Sequence, residues 1–161
     1  MGDTHESAPE TWTPDALAAE VARRMWADDR ASQALGMELL EVRAGYARIR
    51  MPIRRDMTNG HGICHGGYVF LLADSTFAFA CNSRNQRTVA ASAEIHFISA
   101  AHEGDVLTAE GVALHVGGRS GLYDMRVTDQ TGRLVALFRG RSATIKGQFI
   151  ESAQTAAGES A

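Results

Sequence analysis

The strongest constraint on this chain is the run from Tyr68 to Cys81, in which Asp74 is the only charged side chain among Leu, Phe, Val and Ala. A polar loop, Asn59-Gly-His-Gly-Ile-Cys-His65, leads into it and ends on the diglycine Gly66-Gly67. A helix from Gly66 to Asn82 would be about 25 Å long at about 1.5 Å per residue. Being apolar on every face, it must be wrapped by other elements rather than laid on a surface. A membrane span needs about 20 predominantly apolar residues, and this run is shorter and interrupted by Asp74-Ser75-Thr76. The spacing predicts a buried central helix carrying one carboxylate.

The length of 161 residues suits a single domain. We expect it over residues 13–150, between solvated tails at 1–12 and 151–161 that are rich in Ser, Gly, Gln and Ala. A net charge of −3 leaves no basic footprint for nucleic acid. Cys64 and Cys81 form no Cys-x-x-Cys, so neither a disulfide framework nor a zinc ribbon is expected. A reducing, cytoplasmic setting is the default that follows. The N-terminus lacks the basic start and apolar core of a secretory signal. Glu6 also stands where myristoylation requires Ser or Thr.

Thr13-Pro14 reads as an N-cap and first-turn proline, and Leu17, Val21 and Met25 recur every fourth residue. An amphipathic helix is predicted from there to about Ser32. Met37–Val42 and Tyr46–Met51 read as a hairpin about Ala44-Gly45 with arginines on its outer face, ended by Pro52. After the central helix the period changes to two. Val89, Ala91, Ala93, Ile95 and Phe97 alternate with polar residues, as in a half-buried strand. Asp105–Val116, Leu122–Thr128 and Leu134–Ile145 behave alike, separated by turn-forming residues. Short connections make these last four strands antiparallel neighbours, and only the helix from Gly66 is apolar enough to fill their concave face. The predicted class is α+β: a curved antiparallel sheet wrapped around a long central helix, with an extra N-terminal helix.

That order of elements, with His65-Gly-Gly-Tyr-Val-Phe-Leu-Leu-Ala-Asp74, Gly121-Leu-Tyr-Asp124 and Leu137-Phe-Arg-Gly-Arg-Ser142, resembles the hotdog-fold acyl-CoA thioesterases. Within them it is most similar to the PaaI type of phenylacetate degradation, over nearly all of residues 34–147. The resemblance implies hydrolysis of an acyl-CoA thioester, with arylacetyl or hydroxyphenylacetyl acyl groups, and needs no cofactor. It implies a homodimer with active sites at the interface, paired again into a tetramer, and neither a nucleic-acid nor a membrane partner. It assigns Asp74 as the catalytic carboxylate and Gly66 as the backbone donor to the thioester carbonyl. Asn59 and His65 are placed beside the reacting group.

The residues support that chemistry on their own terms. Free N–H groups and the positive dipole end meet at a helix N-terminus, and glycine at 66 and 67 lets a ligand approach. Asp74, eight residues on, lies about 12 Å along the same axis, out of reach of a carbonyl held at Gly66. The spacing makes sense if Gly66 of one subunit faces Asp74 of another. Asp74 could act as nucleophile or as base, or be paired structurally. His65 could donate to the thioester or cap the loop, and Asn59 could orient water or only shape a turn. His61, Cys64 and His65 lack the paired spacing of zinc sites, so no metal is expected. Ser83, Arg84 and Gly117-Gly118-Arg119-Ser120 are candidates for the CoA phosphates, or plain solvated loops. Ser75 and Thr76 either bond within the helix or line the pocket, and Arg139 and Arg141 are more simply structural. A non-catalytic CoA-ester binder on the same fold is the rival reading. An enoyl hydratase would want a His between Gly66 and Asn82, where there is none.

Overall fold

The computed structural model describes residues 11–151 and 154–155. Strand β1 (Thr11–Trp12) leads into α1 (Pro14–Asp28), where the Thr13 hydroxyl accepts from the Ala16 N–H at 3.2 Å and Pro14 opens the first turn. Leu17, Ala18, Val21 and Ala22 form its buried stripe. The helix expected to run on to Ser32 stops at Asp28, and a short α2 (Arg30–Ala34) follows. The cause is Asp29, whose carboxylate accepts from the Ser32 N–H at 3.0 Å and so caps a new helix instead of continuing the old one.

The hairpin forms as expected from β2 (Glu38–Arg43) and β3 (Tyr46–Pro52), with buried Ala47, Ile49 and Met51 alternating with outward Tyr46, Arg48 and Arg50. The central helix is α3 (Gly66–Asn82), and β4 (Gln86–Phe97), β5 (Val106–Gly117), β6 (Ser120–Thr128) and β7 (Leu134–Gln148) follow. All six long strands form one antiparallel sheet, ordered β2-β3-β5-β6-β7-β4. Of the last four strands β5, β6 and β7 are antiparallel neighbours in sequence order as expected, but β4 pairs with β7 instead of β5, and β5 pairs with β3. The helix explains the crossover. About 25 Å of α3 is enough to cross four strand spacings of about 4.8 Å each, carrying the chain from β3 to the far edge of the sheet.

On the way α3 packs against β3, β5, β6, β7 and β4. Phe77 meets Tyr123 at 5.4 Å and Phe138 at 5.8 Å between ring centroids, and a Cβ at Gly140 would come within 2.9 Å of the Phe77 ring. Trp26 of α1 covers Phe79 from the other side at 5.9 Å. The wrapping is incomplete. Gly67, Leu71, Asp74, Ser75 and Ala78, on the side of α3 away from the sheet, stay half-buried or exposed.

Two regions expected to be tails contain ordered elements. Thr11–Trp12 pairs in parallel with β8 (Gln154–Thr155). The Asn85 carboxamide fixes the preceding turn: its Oδ1 accepts from the N–H groups of Phe149 and Ile150, and its Nδ2 donates to the Ile150 carbonyl at 2.8 Å. Ile150 then packs on Leu17 and Val21. The rest of both expected tails lies outside the described residues. Among those described, no helix is long and apolar enough to cross a membrane.

Candidate active site

The loop before α3 consumes most of its own polar groups, leaving without an acceptor among the described residues only the amides of exposed Gly60 and of Gly66. The Asn59 N–H donates to the Ile63 carbonyl at 2.8 Å, and Asn59 Oδ1 accepts from the N–H of His61 at 2.9 Å and of Ile63 at 3.4 Å. Cys64 and His65 donate backbone N–H groups to Ala101 and Met57, both at 2.8 Å. His65 is the N-cap: its Nδ1 accepts from the Gly67 N–H at 2.9 Å, which puts the neutral ring's proton on Nε2. The capping alternative for His65 is thus real, and it leaves an Nε2–H donor on an exposed ring. Gly66, between these two, has an N–H with no acceptor among the described residues.

That amide opens on a cavity of about 390 Å³ whose lining includes Asn59, Val69, Phe97, Ile98 and Val135. Of the two roles expected for Asn59, the turn is the one the hydrogen bonds display. Its Oδ1 holds the turn, while its Nδ2 is left to donate. A Cβ at 66 would meet Phe97 Cζ at 2.9 Å, so a larger residue there has to push that ring aside.

Asp74 faces a different cavity of about 410 Å³, shared with Ser75, Arg24, Asp28, Arg87 and Phe149. Half-buried, it has no hydrogen-bonding or charged partner among the described residues, and burial alone pushes its carboxyl up from the ordinary range. The two arginines of this cavity are engaged with the end of β7 and the residue after it. Arg24 donates to the Phe149 carbonyl at 2.8 Å, while Arg87 donates to that of Gln148 at 3.2 Å and stacks on the Phe149 ring. Ser75 bonds to Ser32 of α2 at 3.0 Å, and Thr76 to the Leu72 carbonyl.

The candidates for CoA phosphates separate. Arg84, Gly118 and Ser120 surround one small cleft at the far end of α3. Arg119 lies beside them but donates to the Thr144 carbonyl at 3.1 Å. Ser83 leaves the set: it is 1% exposed, and its hydroxyl accepts from the Gly45 N–H and donates to the Ala80 carbonyl, both at 2.7 Å. Arg139 is structural, in a bidentate pair with Asp124. The thiols are protonated at neutral pH, burial pushing Cys64 up to about 11 and Cys81 up to about 12.

The thioesterase superfamily profile matches residues 61–136. Acyl-coenzyme A thioesterase PaaI of Escherichia coli K12 is 40% identical over 132 residues, covering 82% of this chain and 94% of that protein. This chain belongs to the thioesterase superfamily. The solved E. coli PaaI, from the phenylacetic acid degradation operon, superposes with a TM-score of 0.83 over 84% of this chain and 99% of that one, at 38% identity. A hypothetical thioesterase of Streptococcus pneumoniae TIGR4, solved with coenzyme A, reaches 0.66 at 28% identity over 70% of this chain and 90% of its own.

The architecture is accordingly the hotdog fold, and the protein is a thioester hydrolase. A thioesterase needs a donor for the carbonyl oxygen and a base or nucleophile for the carbonyl carbon. The unbonded Gly66 amide and the unpartnered Asp74 carboxylate, groups of those two kinds, line two different cavities eight residues apart along α3. The residues beside them that sequence reasoning missed, Asp28, Arg87, Phe97 and Phe149, come from α1, β4 and the segment after β7. No local motif marks them. Only the alternation along β4 pointed Phe97 inward.

Proposed function

We propose that this protein hydrolyses acyl-CoA thioesters of the arylacetyl class, phenylacetyl or hydroxyphenylacetyl, to the free acid and CoA. It would act as a cytoplasmic enzyme of phenylacetate catabolism. The observation that carries the reading is the pairing on one helix of an unbonded amide at Gly66 with an unpartnered carboxylate at Asp74, each open to a cavity.

The thioester carbonyl oxygen accepts from the Gly66 N–H, where the helix dipole adds positive potential. Asn59 Nδ2 and His65 Nε2–H supply further donors beside it. Asp74 of the other subunit either takes a proton from attacking water or attacks the carbonyl carbon itself. In both cases the carbon–sulfur bond breaks and CoA leaves as the thiol. Arg84, Gly118, Arg119 and Ser120 take the CoA phosphates, in keeping with the coenzyme A found in the pneumococcal relative.

The second subunit enters through β4. This twelve-residue edge strand has a run of small residues, Ala90-Ala-Ser-Ala93, and neither Lys nor Pro to protect its free edge. Its alternating apolar residues were expected half-buried, yet Val89 is 47% and Phe97 56% exposed in the single chain. Edge-to-edge pairing of two β4 strands would cover Val89 and bring the open stripe of α3 against its twin, with Phe97 at the strand's end left beside the cavity at Gly66. A homodimer follows, with a dimer of dimers as the larger assembly.

Mixing subunits tests this directly. Asp74→Ala and Gly66→Val variants should each be inactive, but co-refolded together they should recover about one quarter of wild-type thiol release. Half of randomly formed twofold dimers are mixed, and each mixed dimer holds one intact site. No recovery, with mixed dimers verified by mass spectrometry, would remove the shared site.

A further inference from the structure

We infer that Phe97 is a specificity residue, whose ring provides the face on which an aromatic acyl group stacks while its carbonyl is held at Gly66. The inference rests on the arylacetyl-CoA reading above and names the group that would select the ring.

Phe97 ends β4 with its ring laid on the start of α3, close enough that a Cβ at Gly66 would touch it at 2.9 Å. It is thus the side chain next to the free amide. Of the described residues lining that cavity, Phe97 is the only aromatic, and none is charged. The remainder of the wall is largely aliphatic, from Ile63, Val69, Ile98 and Val135. The core aromatics have ring partners, Phe77 with Tyr123 and Phe70 with Phe138, whereas Phe97 has none among the described residues. A ring 56% exposed, unpaired and adjoining the amide presents a free π-face to whatever fills the cavity.

Size and polarity fit the same occupant. A dry apolar cavity of about 150 Å³ takes benzene, and about 390 Å³ leaves room for a phenyl ring with its methylene and thioester. Aromatic pairs gain energy beyond the area they bury, through offset or edge-to-face contact. An alkyl chain of equal length gains only the burial. Among the described residues that line the cavity only Phe97 can supply that contact, so discrimination of aryl from alkyl acyl groups is assigned to it.

The test is the ratio of kcat/KM for phenylacetyl-CoA to that for hexanoyl-CoA, read by thiol release. Phe97→Leu should lower the ratio about five- to tenfold, phenylacetyl-CoA losing more than hexanoyl-CoA, and Phe97→Tyr should restore it. Equal losses on both esters, or a ratio moved by less than twofold, would leave Phe97 a packing residue and overturn the inference. If the leucine variant fails to fold, the wild-type enzyme decides. Phenylacetyl-CoA should then be preferred to cyclohexylacetyl-CoA, a similar shape without a π-face, and equal rates would overturn the stacking role. A wild-type enzyme that releases thiol from none of these esters would strike the arylacetyl-CoA reading itself, and the role of Phe97 with it.

Discussion

Two carboxylates show how differently this fold treats the same group. Asp129, in the turn between β6 and β7, is buried and fully bonded: Oδ1 accepts from the Thr131 N–H and hydroxyl and from the Arg133 N–H, and Oδ2 accepts from Arg133 Nε at 2.8 Å. The Thr131 hydroxyl first, then backbone amides and Arg133, hold its carboxyl down at about 2. Asp74, in the middle of α3, is half-buried with no such neighbour, and burial pushes its carboxyl up. A bonded carboxylate fixes a turn and has no lone pair to spare. An unbonded one costs stability and keeps its lone pairs for a substrate. On the proposed function, the contrast is that between a structural acid and a chemical one.

Activity should break along the same line, and this is the largest effect. Asp74→Asn should lower kcat/KM by a factor of about 10²–10⁴, with the elution volume of the assembly unchanged. Asp129→Asn, at a residue that lines neither cavity, should leave the kcat/KM of folded enzyme within about threefold of wild type. Comparable losses in the two would mean that Asp74 acts through the fold and not through the reaction. Next in size is the pH profile. Asp74 works ionised, so kcat/KM should fall about tenfold per pH unit below its pKa. Because burial raises that pKa, the acidic limb should begin above the ordinary carboxylate range. A limb at or below that range would show the carboxylate to be solvated or paired in the working enzyme.

What the sequence made legible was local and contiguous. The diglycine and the lone acid fixed α3, and Asn59, His65 and Gly66 could be read as one loop because they are one loop. What it hid was tertiary. Asp29 splits the first helix through its own side-chain bond, which periodicity does not register. Strand order depends on where α3 delivers β4, and short connections alone suggested the wrong neighbour. Ser83 looked like a polar loop residue next to Arg84 but is sealed between Gly45 and Ala80. The most instructive mismatch is β4: its alternating pattern describes burial that a single chain does not provide. In the dimer proposed above, that open edge is where the second subunit would supply the missing burial.

The smallest effect, on stability, has opposite signs at the two sites. Asp129 has a folded pKa below its unfolded value of 3.8, so its contribution is fully present above 3.8 and is lost as pH falls toward about 2. Asp129→Asn should therefore lower the Tm at pH 7 by several degrees, by an amount that shrinks below pH 3.8. Asp74 has a folded pKa above the same unfolded value, so its ionised form penalises the folded state at neutral pH, and the penalty vanishes once pH drops below 3.8. Asp74→Asn should raise the Tm at pH 7 by about 1–2 °C, a small gain because solvent screens a half-exposed charge, and should bring none at pH 3.5. A variant that loses nearly all activity while gaining stability would mark Asp74 as a residue kept at a cost to the fold. A loss of stability on Asp74→Asn would instead reveal a partner for the carboxylate, and the contrast with Asp129 would disappear.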